Sequence, residues 1–236
     1  LSVIEDTAQA DGGTFQGRRL GSIGDIGAFS FQINKILTSG EGGMLITNAH
    51  KLFQRAVMVH DVVGGQRNNI PLEEILPGLN FRMSELQGAI MLVQLRRLET
   101  LLRDMRHNKA MLKGAVEDVA RRKGISFRTI NDPQGDTAIS MIFYAPTAER
   151  ADVISKALRA EGVPSSVMYY PDKVDYHIYP HWTPVVNKRS WSAAGWPWRW
   201  HEGDVDYSVD QCPRTLELLG RAIHVDISPD LTGENV

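Results

Sequence analysis

The stretch SFQINKILTSGEGG, residues 30–43, places a single lysine, Lys35, among small, apolar and neutral polar residues. A serine, Ser30, opens the stretch, and a Gly-Glu-Gly-Gly sequence that we interpret as a tight turn closes it. A lysine amine is nucleophilic only when it is neutral, and apolar neighbours favour the neutral form. The alternative is a loop lysine whose charged head lies in water and whose stem covers apolar surface. Lys35 by itself leaves both readings open.

A carboxylate, Asp6, follows the apolar run LSVIE at residues 1–5, which is typical of a buried strand. Open α/β sheets bind their ligands at the carboxyl ends of strands. A carboxylate at such a position can keep a pyridine nitrogen protonated, which makes the ring an electron sink. The alternative for Asp6 is a helix N-cap, a position that aspartate favours.

Composition indicates a globular protein and gives no sign of a nucleic-acid or membrane partner. The chain has 236 residues, 42% of them hydrophobic and 23% charged, with a net charge of −2. No basic excess attracts nucleic acid or anionic lipid, and no apolar run is long enough to span a membrane. The single cysteine, Cys212, cannot form a disulfide within the chain, and the seven histidines lack metal-ligand spacing. We therefore expect a cytoplasmic protein without a metal.

Strand and helix patterns alternate along the chain, which is typical of an α/β protein. The clearest helix begins near residue 84, where Ser84 followed by Gln87 is a capping-box pattern, and it runs past Arg103. Further strands are predicted at residues 26–33, 44–47, 125–130, 138–145, 163–170 and 222–228, and further helices at residues 50–60, 148–162 and 212–219.

Three stretches occur together in one order and spacing: VIEDTAQADG at residues 3–12, GRRLGSIGDIGAFSFQINKILTSGEGG at residues 17–43, and LNFRMSELQGAI at residues 79–90. Together they resemble the DegT/DnrJ/EryC1/StrS family of pyridoxal-phosphate-dependent sugar aminotransferases. The resemblance extends to about residue 100 and is looser beyond it.

The resemblance implies an α/β protein of the fold-type-I pyridoxal-phosphate-dependent transferases. Residues 1–103 would be the C-terminal part of the large, cofactor-binding domain with a mainly parallel sheet, and residues 104–236 a small C-terminal α/β domain. Because the chain opens with Leu1 in the middle of a strand pattern, we expect a fragment that lacks the N-terminal part and the extreme C-terminus.

The same resemblance assigns site residues for pyridoxal 5′-phosphate. Asp6 would pair with the pyridinium nitrogen, Ala8 would lie against the ring face, and Gln9 would approach the ring hydroxyl. Ser30 would bind the phosphate. Lys35 would attach the cofactor as a Schiff base and then shuttle a proton as the catalytic base.

A sixth residue, Asn80, would reach the phosphate site of a neighbouring subunit, which implies a homodimer with shared active sites. The implied reaction is transamination of a keto-sugar, expected to be nucleotide-linked, with glutamate or glutamine as amino donor. Family members that dehydrate sugars carry His at the position of Lys35, so the lysine favours amino transfer. The alternatives are an enzyme of the same fold acting on a cyclitol or a keto-acid sugar, a dehydratase, or a non-catalytic regulatory module.

One feature departs from the family pattern. The family often has a His-Tyr-Pro stretch in the small domain, whereas this chain has YYPDKVDYHIYPHW at residues 169–182, with Tyr169 in place of the histidine. The identity of the substrate is therefore left open. A separate, compositional anomaly is WSAAGWPWRWH at residues 191–201, which holds four of the five tryptophans. Such a tract can stack on sugars, but we favour a core or subunit contact.

Overall fold

The computed structural model describes residues 1–200, 202–203 and 205–232, and these residues divide into two units. The first unit contains Leu1–Ala115, Thr129–Ile139 and the described residues from Ile227 onward, and the second contains Val116–Arg128 and Ser140–Asp226. The predicted domain boundary after residue 103 lies inside a helix, and a division of the chain at that point stays a prediction.

The first unit holds the segments that carry the motifs. Its elements are β1 (Ile4–Asp6), β2 (Thr14–Phe15), β3 (Arg18–Arg19), β4 (Ile26–Ser30), β5 (Gly43–Ile46), α1 (His50–His60), α2 (Gly64–Arg67) and most of α3 (Glu85–Arg122). β1, β4 and β5 form one sheet with β4 in the middle, while β2 and β3 form a separate hairpin. β1 runs parallel to β4, and β5 runs antiparallel to it. The predicted strands and both predicted helices of this unit are confirmed.

The position of β1 in the sheet differs from the expected one. The run LSVIE was predicted to be a buried strand, but Val3 is 53% exposed and Ile4 is 73% exposed. The prediction of burial is wrong for this structure because β1 is an edge strand, with β4 on one side only.

Glu5 ties β1 to the turn that precedes β4. Its carboxylate accepts hydrogen bonds from the backbone N–H groups of Gly21 (2.7 Å), Ile23 (2.6 Å) and Gly24 (2.6 Å). Partial burial alone would raise the pKa of the Glu5 carboxyl, but these hydrogen bonds and the charge of Arg18 together hold the pKa below its ordinary value. One side chain thus satisfies three backbone donors of a single turn.

Gly27 allows the same turn to approach the sheet closely. A Cβ atom at this position of β4 would lie 2.2 Å from the carbonyl oxygen of Gly21, which is closer than atoms can approach. Glycine is therefore required at residue 27 for steric reasons.

Helix α3 begins with the predicted capping box. The Ser84 hydroxyl accepts a hydrogen bond from the Gln87 N–H at 3.3 Å, and the Gln87 side-chain oxygen accepts one from the Ser84 N–H at 3.0 Å. The Gln87 amide also donates to the carbonyl of Glu41 at 2.9 Å. The start of the helix is therefore fixed to the glycine-rich turn before β5. Farther along, the helix contributes Leu98 and Leu102 to a buried apolar cluster that also contains Phe31 and Leu37.

The second unit is an antiparallel sheet with helices. Its elements are β6 (Ser126–Phe127), β7 (Ser140–Tyr144), α4 (Ala148–Ala160), β8 (Ser165–Val167), α5 (Thr183–Val186), α6 (Pro213–Arg221) and β9 (Ala222–Asp226), and the strand order is β6-β7-β9-β8. Thr147 caps α4 by accepting a hydrogen bond from the Arg150 N–H, and Gly162, with φ of +85°, follows its end as the sequence predicted. The predicted helices and strands of this unit are present, but β6 and β8 are shorter than the predicted ranges of residues 125–130 and 163–170.

The tryptophan tract lies on the surface of the second unit. Trp196 stacks on Trp200 with ring centroids 4.8 Å apart, and Trp191 meets Trp196 edge to face at 5.1 Å. Trp191 is 84% exposed and Trp200 is 72% exposed, so these two rings do not fill the core of the unit, and that expectation is wrong for them. The last residue of the tract, His201, lies outside the described residues.

Among the described residues, no helix combines the length and the apolar character needed to cross a membrane. The same residues contain no group of three or more His, Cys, Asp or Glu side chains arranged to hold a metal ion.

Replacing Glu5 tests the role of this carboxylate in holding the turn before β4. Glu5→Gln turns one acceptor oxygen into a donor that faces a backbone N–H, so we expect the free energy of unfolding at pH 7 to fall by about 1–3 kcal/mol. Because the pKa of Glu5 is lowered in the folded state, its contribution is present above the ordinary glutamate pKa and is lost as the pH falls through the folded value. Urea denaturation from pH 3 to pH 8 measures both effects.

The matched control for this experiment is Glu117→Gln, because Glu117 is an exposed glutamate on α3. Equal unfolding free energies for Glu5→Gln and the control at pH 7 would contradict the assigned role.

Candidate active site

Two predicted cofactor ligands lie at one edge of the sheet in the first unit. Asp6 is the last residue of β1, and Ser30 is the last residue of β4. Because the two strands are parallel and Asp6 pairs with Ala28, the carboxyl ends of both strands meet at the same edge. Parallel strands place their binding crevice at this edge, and the chain continues from Ser30 into the loop that carries Lys35.

The loop after β1 directs Asp6 toward this edge. Thr7 donates two hydrogen bonds to the Ala28 carbonyl, one from its N–H (2.9 Å) and one from its hydroxyl (2.6 Å). The Asp6 carboxylate accepts a hydrogen bond from the Ala8 N–H at 3.1 Å and remains exposed. Residues 7–13 form turns and not a helix, so the alternative of a helix N-cap for Asp6 is wrong. Ala8 is half-buried, and Gln9 is exposed on the same loop.

Local hydrogen bonds hold the loop of residues 31–39, which we call the lysine loop. The Lys35 N–H donates to the carbonyl of Gln32 at 3.0 Å, and the Gln32 side chain accepts from the Asn34 N–H at 2.8 Å. At the base of the loop, the Ser39 N–H donates to the Phe31 carbonyl at 3.1 Å. Backbone hydrogen bonds therefore fix both the turn that carries Lys35 and the base of the loop. The Lys35 side chain is half-exposed.

The glycine-rich sequence after the lysine loop forms a turn, as predicted. Gly40 has φ of +87° and Gly42 has φ of +149°, both in the region that favours glycine. The Thr38 hydroxyl accepts from the Gly40 N–H at 2.9 Å, and the Ser39 hydroxyl donates to the Glu41 carbonyl at 2.8 Å. These contacts lead the chain directly into β5.

Asn80 is held in a different part of the first unit. It is exposed in the segment before α3, and its side-chain oxygen accepts from the Arg82 N–H (3.3 Å) and from Arg82 Nε (3.1 Å). Arg82 also lies 3.8 Å from the buried carboxylate of Asp61, which pairs with Arg67 at 2.7 Å. The hydrogen bonds of the described residues do not connect Asn80 with Asp6, Ser30 or Lys35.

Tyr169, which replaces the histidine common in the family pattern, lines an open cavity in the second unit. The cavity has a volume of about 500 Å³, and Tyr170, Glu217 and Arg221 also line it. The Tyr170 hydroxyl donates to Asp152 at 2.9 Å, and burial together with this carboxylate raises the pKa of Tyr170. The substitution thus places a tyrosine ring in the wall of this cavity.

The whole chain, residues 1–236, matches the model of the DegT/DnrJ/EryC1/StrS aminotransferase family. This chain belongs to that family. The three sequence stretches that suggested it therefore indicated the correct family.

Two curated relatives of this family member are an aminotransferase and a synthase by name. The chain is 34% identical over 193 residues to the L-glutamine:2-deoxy-scyllo-inosose aminotransferase of Streptoalloteichus tenebrarius, covering 72% of this chain and 43% of the relative. It is 32% identical over 187 residues to the GDP-perosamine synthase of Caulobacter vibrioides, covering 76% of this chain and 47% of the relative. The chain thus spans less than half the length of either relative.

Solved structures confirm the predicted fold class. An aminotransferase from Psychrobacter cryohalolentis superposes with a TM-score of 0.72 at 24% identity, covering 100% of this chain and 59% of that one. Spr1654 from Streptococcus pneumoniae, solved in a PLP form, superposes with a TM-score of 0.66 at 19% identity, covering 99% and 54%. This family member therefore has the α/β fold of part of these fold-type-I aminotransferases.

A buried carboxylate beside the lysine loop was not identified from the sequence of this family member. Asp11 follows β1 on the loop that carries Asp6, its side chain is 2% exposed, and neither carboxylate oxygen meets hydrogen-bond geometry with a described donor. Burial raises the pKa of Asp11 from its ordinary 3.8 to about 6, while the nearby Leu37 N–H and the charge of Lys35 oppose the rise. Asp followed by two glycines is typical of a turn, so the sequence contains no local signal for this burial.

Asp11→Asn tests whether the buried carboxylate costs stability. Because the folded pKa lies above the ordinary value, the folded state binds the extra proton, and the wild type loses stability as the pH rises from about 4 to about 6. The amide has the same size and does not ionise, so the variant should be more stable than wild type by about 1–3 kcal/mol at pH 7.5 and nearly equal at pH 4. Urea denaturation at the two pH values measures the difference.

Asp104→Asn is the control, because Asp104 is a more exposed aspartate that pairs with Arg103 at 2.8 Å. If Asp11→Asn were less stable than wild type at pH 7.5, the carboxylate would be a structural support and the predicted sign would be wrong.

Proposed function

We propose that the protein is a pyridoxal-5′-phosphate-dependent aminotransferase that transfers an amino group from glutamine or glutamate to a keto-sugar. One observation carries the proposal: in a chain that belongs to this family, the strand ends that bear Asp6 and Ser30 meet at one sheet edge, and Lys35 lies on the loop that leaves that edge. The strand ends that bear the carboxylate and the hydroxyl lie at the kind of edge where α/β proteins bind ligands, and the amine belongs to the loop that continues from it.

The chemistry of these donors fits the cofactor. A carboxylate suits a pyridinium nitrogen, a hydroxyl suits a phosphate, and a primary amine suits an aldehyde carbon. When bound, pyridoxal 5′-phosphate supplies an electron sink for the carbanion formed at the substrate carbon. The PLP form of Spr1654, which shares the fold, supports the assignment.

Asp6 and Ser30 would bind the two ends of the cofactor. Asp6 is exposed and already oriented by the Ala8 N–H, so it can accept a hydrogen bond from a protonated ring nitrogen. The Ser30 hydroxyl is half-buried at the end of β4 and would donate to the phosphate. Ala8 would contact the ring face, and Gln9 would approach the ring hydroxyl from the same loop.

Lys35 would provide the covalent link and the proton transfer. Its amine would hold the cofactor by condensing with the aldehyde, with loss of water, and the free amine would accept and return the proton at the reacting carbon of the substrate. The closed lysine loop limits where this amine can move, which suits a group that must return to the same carbon. A lysine at this position favours amino transfer over dehydration.

The names of the relatives support the substrate class. One relative is named for L-glutamine and an inosose, and another for GDP-perosamine. We therefore propose a ketone on a nucleotide-linked sugar as the acceptor. A cyclitol ketone is the second candidate, because the inosose relative favours it.

We further propose a cytoplasmic homodimer in which Asn80 contacts the phosphate at the neighbouring site. Asn80 is exposed, and its side-chain oxygen accepts a hydrogen bond from Arg82 that orients the amide. An amide that binds a phosphate in another subunit has to be both accessible and oriented. The proposed domains remain residues 1–103 and 104–236.

Borohydride trapping tests the assignment of Lys35. We expect the full chain loaded with pyridoxal 5′-phosphate to absorb visible light, and reduction with borohydride to leave one cofactor linked to Lys35. Peptide mapping by mass spectrometry identifies the modified residue. Lys35→Ala should lose both the trapped cofactor and amino transfer, because no amine remains at this position.

The control is Lys51→Ala, which removes an exposed lysine on α1 and should change neither result. A cofactor trapped on Lys51 would contradict the proposal. Amino transfer to a cyclitol ketone and not to a nucleotide-linked keto-sugar would establish the second candidate, and cofactor binding without transfer to any ketone would indicate a regulatory module.

Asp6→Asn tests the electron-sink role separately. The amide keeps the size of the side chain but cannot balance a positive ring nitrogen, so the variant should retain trapped cofactor at Lys35 and lose about 100-fold or more in amino transfer. Single-turnover measurements with the amino donor check this. Turnover equal to wild type would show that Asp6 only orients the loop after β1.

A further inference from the structure

Asp61 is a buried carboxylate that the proposed reaction does not use. It directly follows α1 and is 5% exposed. One of its oxygens accepts a hydrogen bond from the Arg67 side chain at 2.7 Å, and the other accepts one from the Val63 N–H at 3.1 Å. The Val63 hydrogen bond and the charges of Arg67 and Arg82 hold the pKa of Asp61 below its ordinary value, although burial opposes them. The side chain is therefore a fixed negative charge at neutral pH.

The segment that carries Asn80 lies against the same end of α1. The N–H groups on either side of Asn80 donate to carbonyls in the last turn of the helix, Leu79 to Val59 and Phe81 to His60, both at 2.9 Å. These two hydrogen bonds fix the backbone at Asn80 beside Asp61. They leave the direction of the Asn80 side chain to other contacts.

Arg82 connects the Asn80 amide with the Asp61 carboxylate. Its Nε donates to the Asn80 side-chain oxygen at 3.1 Å and lies 3.8 Å from an oxygen of Asp61, within ion-pair distance. The backbone N–H of Arg82 donates to the same Asn80 oxygen at 3.3 Å. An amide accepts through its oxygen and donates through its NH2 group. Because Arg82 binds the oxygen, the NH2 group is the end of Asn80 that can donate to another molecule.

The ion pair with Asp61 limits the freedom of the Arg82 side chain. That side chain is 41% exposed, and a long side chain in water loses rotamer entropy when it is held in one position. Asp61 is itself held by two hydrogen bonds, so it gives Arg82 a charge in a fixed place to lie against. A functional amide depends on such supporting contacts to keep its geometry.

We propose that Asp61 is a positioning residue for Asn80: its buried carboxylate fixes Arg82, and Arg82 fixes the Asn80 amide so that its NH2 group can donate to the cofactor phosphate of a neighbouring subunit. Asp61 touches neither cofactor nor substrate in this role and acts through Arg82. The role rests on the proposed function, in which Asn80 contacts the phosphate at a neighbouring site.

The binding test compares pyridoxal 5′-phosphate with pyridoxal, which lacks the phosphate. In the full chain, Asp61→Asn keeps the size of the side chain and removes the charge that attracts Arg82. We expect the Kd of pyridoxal 5′-phosphate to rise by about threefold or more, the size of a usual ion-pair contribution, and the Kd of pyridoxal to stay unchanged. Quenching of protein fluorescence measures both constants. A carboxylate that served only the fold would raise both constants alike.

A second substitution shows whether the effect passes through the amide. In an Asn80→Ala background, Asp61→Asn should not raise the Kd of pyridoxal 5′-phosphate further, because the group that it orients is absent. Asp104→Asn, which removes a more exposed carboxylate paired with Arg103 at 2.8 Å, is the control and should leave both constants unchanged. Additive effects of the two substitutions, or equal weakening of both ligands, would overturn the proposal. If circular dichroism showed Asp61→Asn unfolded, Arg82→Lys would replace it, since lysine keeps the charge and lacks the Nε donor.

A measurement without cofactor separates this proposal from the proposed function. NMR relaxation of the Arg82 Nε–H group reports how rigidly the side chain is held, and its order parameter should fall below about 0.6 in Asp61→Asn but not in Asp104→Asn. A fall without borohydride trapping at Lys35 would support the positioning of Arg82 and overturn the cofactor assignment. Trapping at Lys35 with an unchanged order parameter would overturn the positioning role and leave the cofactor assignment standing.

Discussion

Thr7 donates to the carbonyl of Ala28 through both its N–H and its hydroxyl, and these bonds extend the parallel pairing of β1 with β4 beyond the end of β1. The register set by this pairing brings the end of β1, with Asp6, beside the end of β4, with Ser30. A shift by one residue would turn the side chains of one strand to the other face of the sheet and separate the carboxylate from the hydroxyl. The candidate site therefore depends on a few hydrogen bonds at one strand pair.

Contacts on two sides of the β1–β4 pair help to hold this register in place. Glu5 binds three backbone N–H groups of the turn before β4, and Gly27 lets that turn approach the strand. On the other side, Gln87 joins the start of α3 to the glycine-rich turn that follows the lysine loop. Hydrogen bonds thus fix the turn before β4 and the start of the helix, and the buried apolar cluster joins the lysine loop to the helix.

Asp11 illustrates the free-energy cost of a buried carboxyl whose oxygens form no hydrogen bond with a described donor. A buried carboxyl with a raised pKa destabilises the folded chain at neutral pH, and an apolar or amide side chain would serve packing better. In the second unit, Tyr169 stands where the resemblance implies a histidine, and it lines an open cavity.

The sequence by itself determined the features that depend on nearby residues. The capping box of Ser84 and Gln87, the helix end before Gly162 and the turn at Gly40 are local, because each requires only contacts within a few positions along the chain. The spacing of the three family stretches likewise indicated the fold. Tertiary structure decided the exposure of Ile4 and the burial of Asp11. Both depend on which distant segments pack beside them, and neither the alternation of apolar residues nor an Asp-Gly-Gly sequence contains that information.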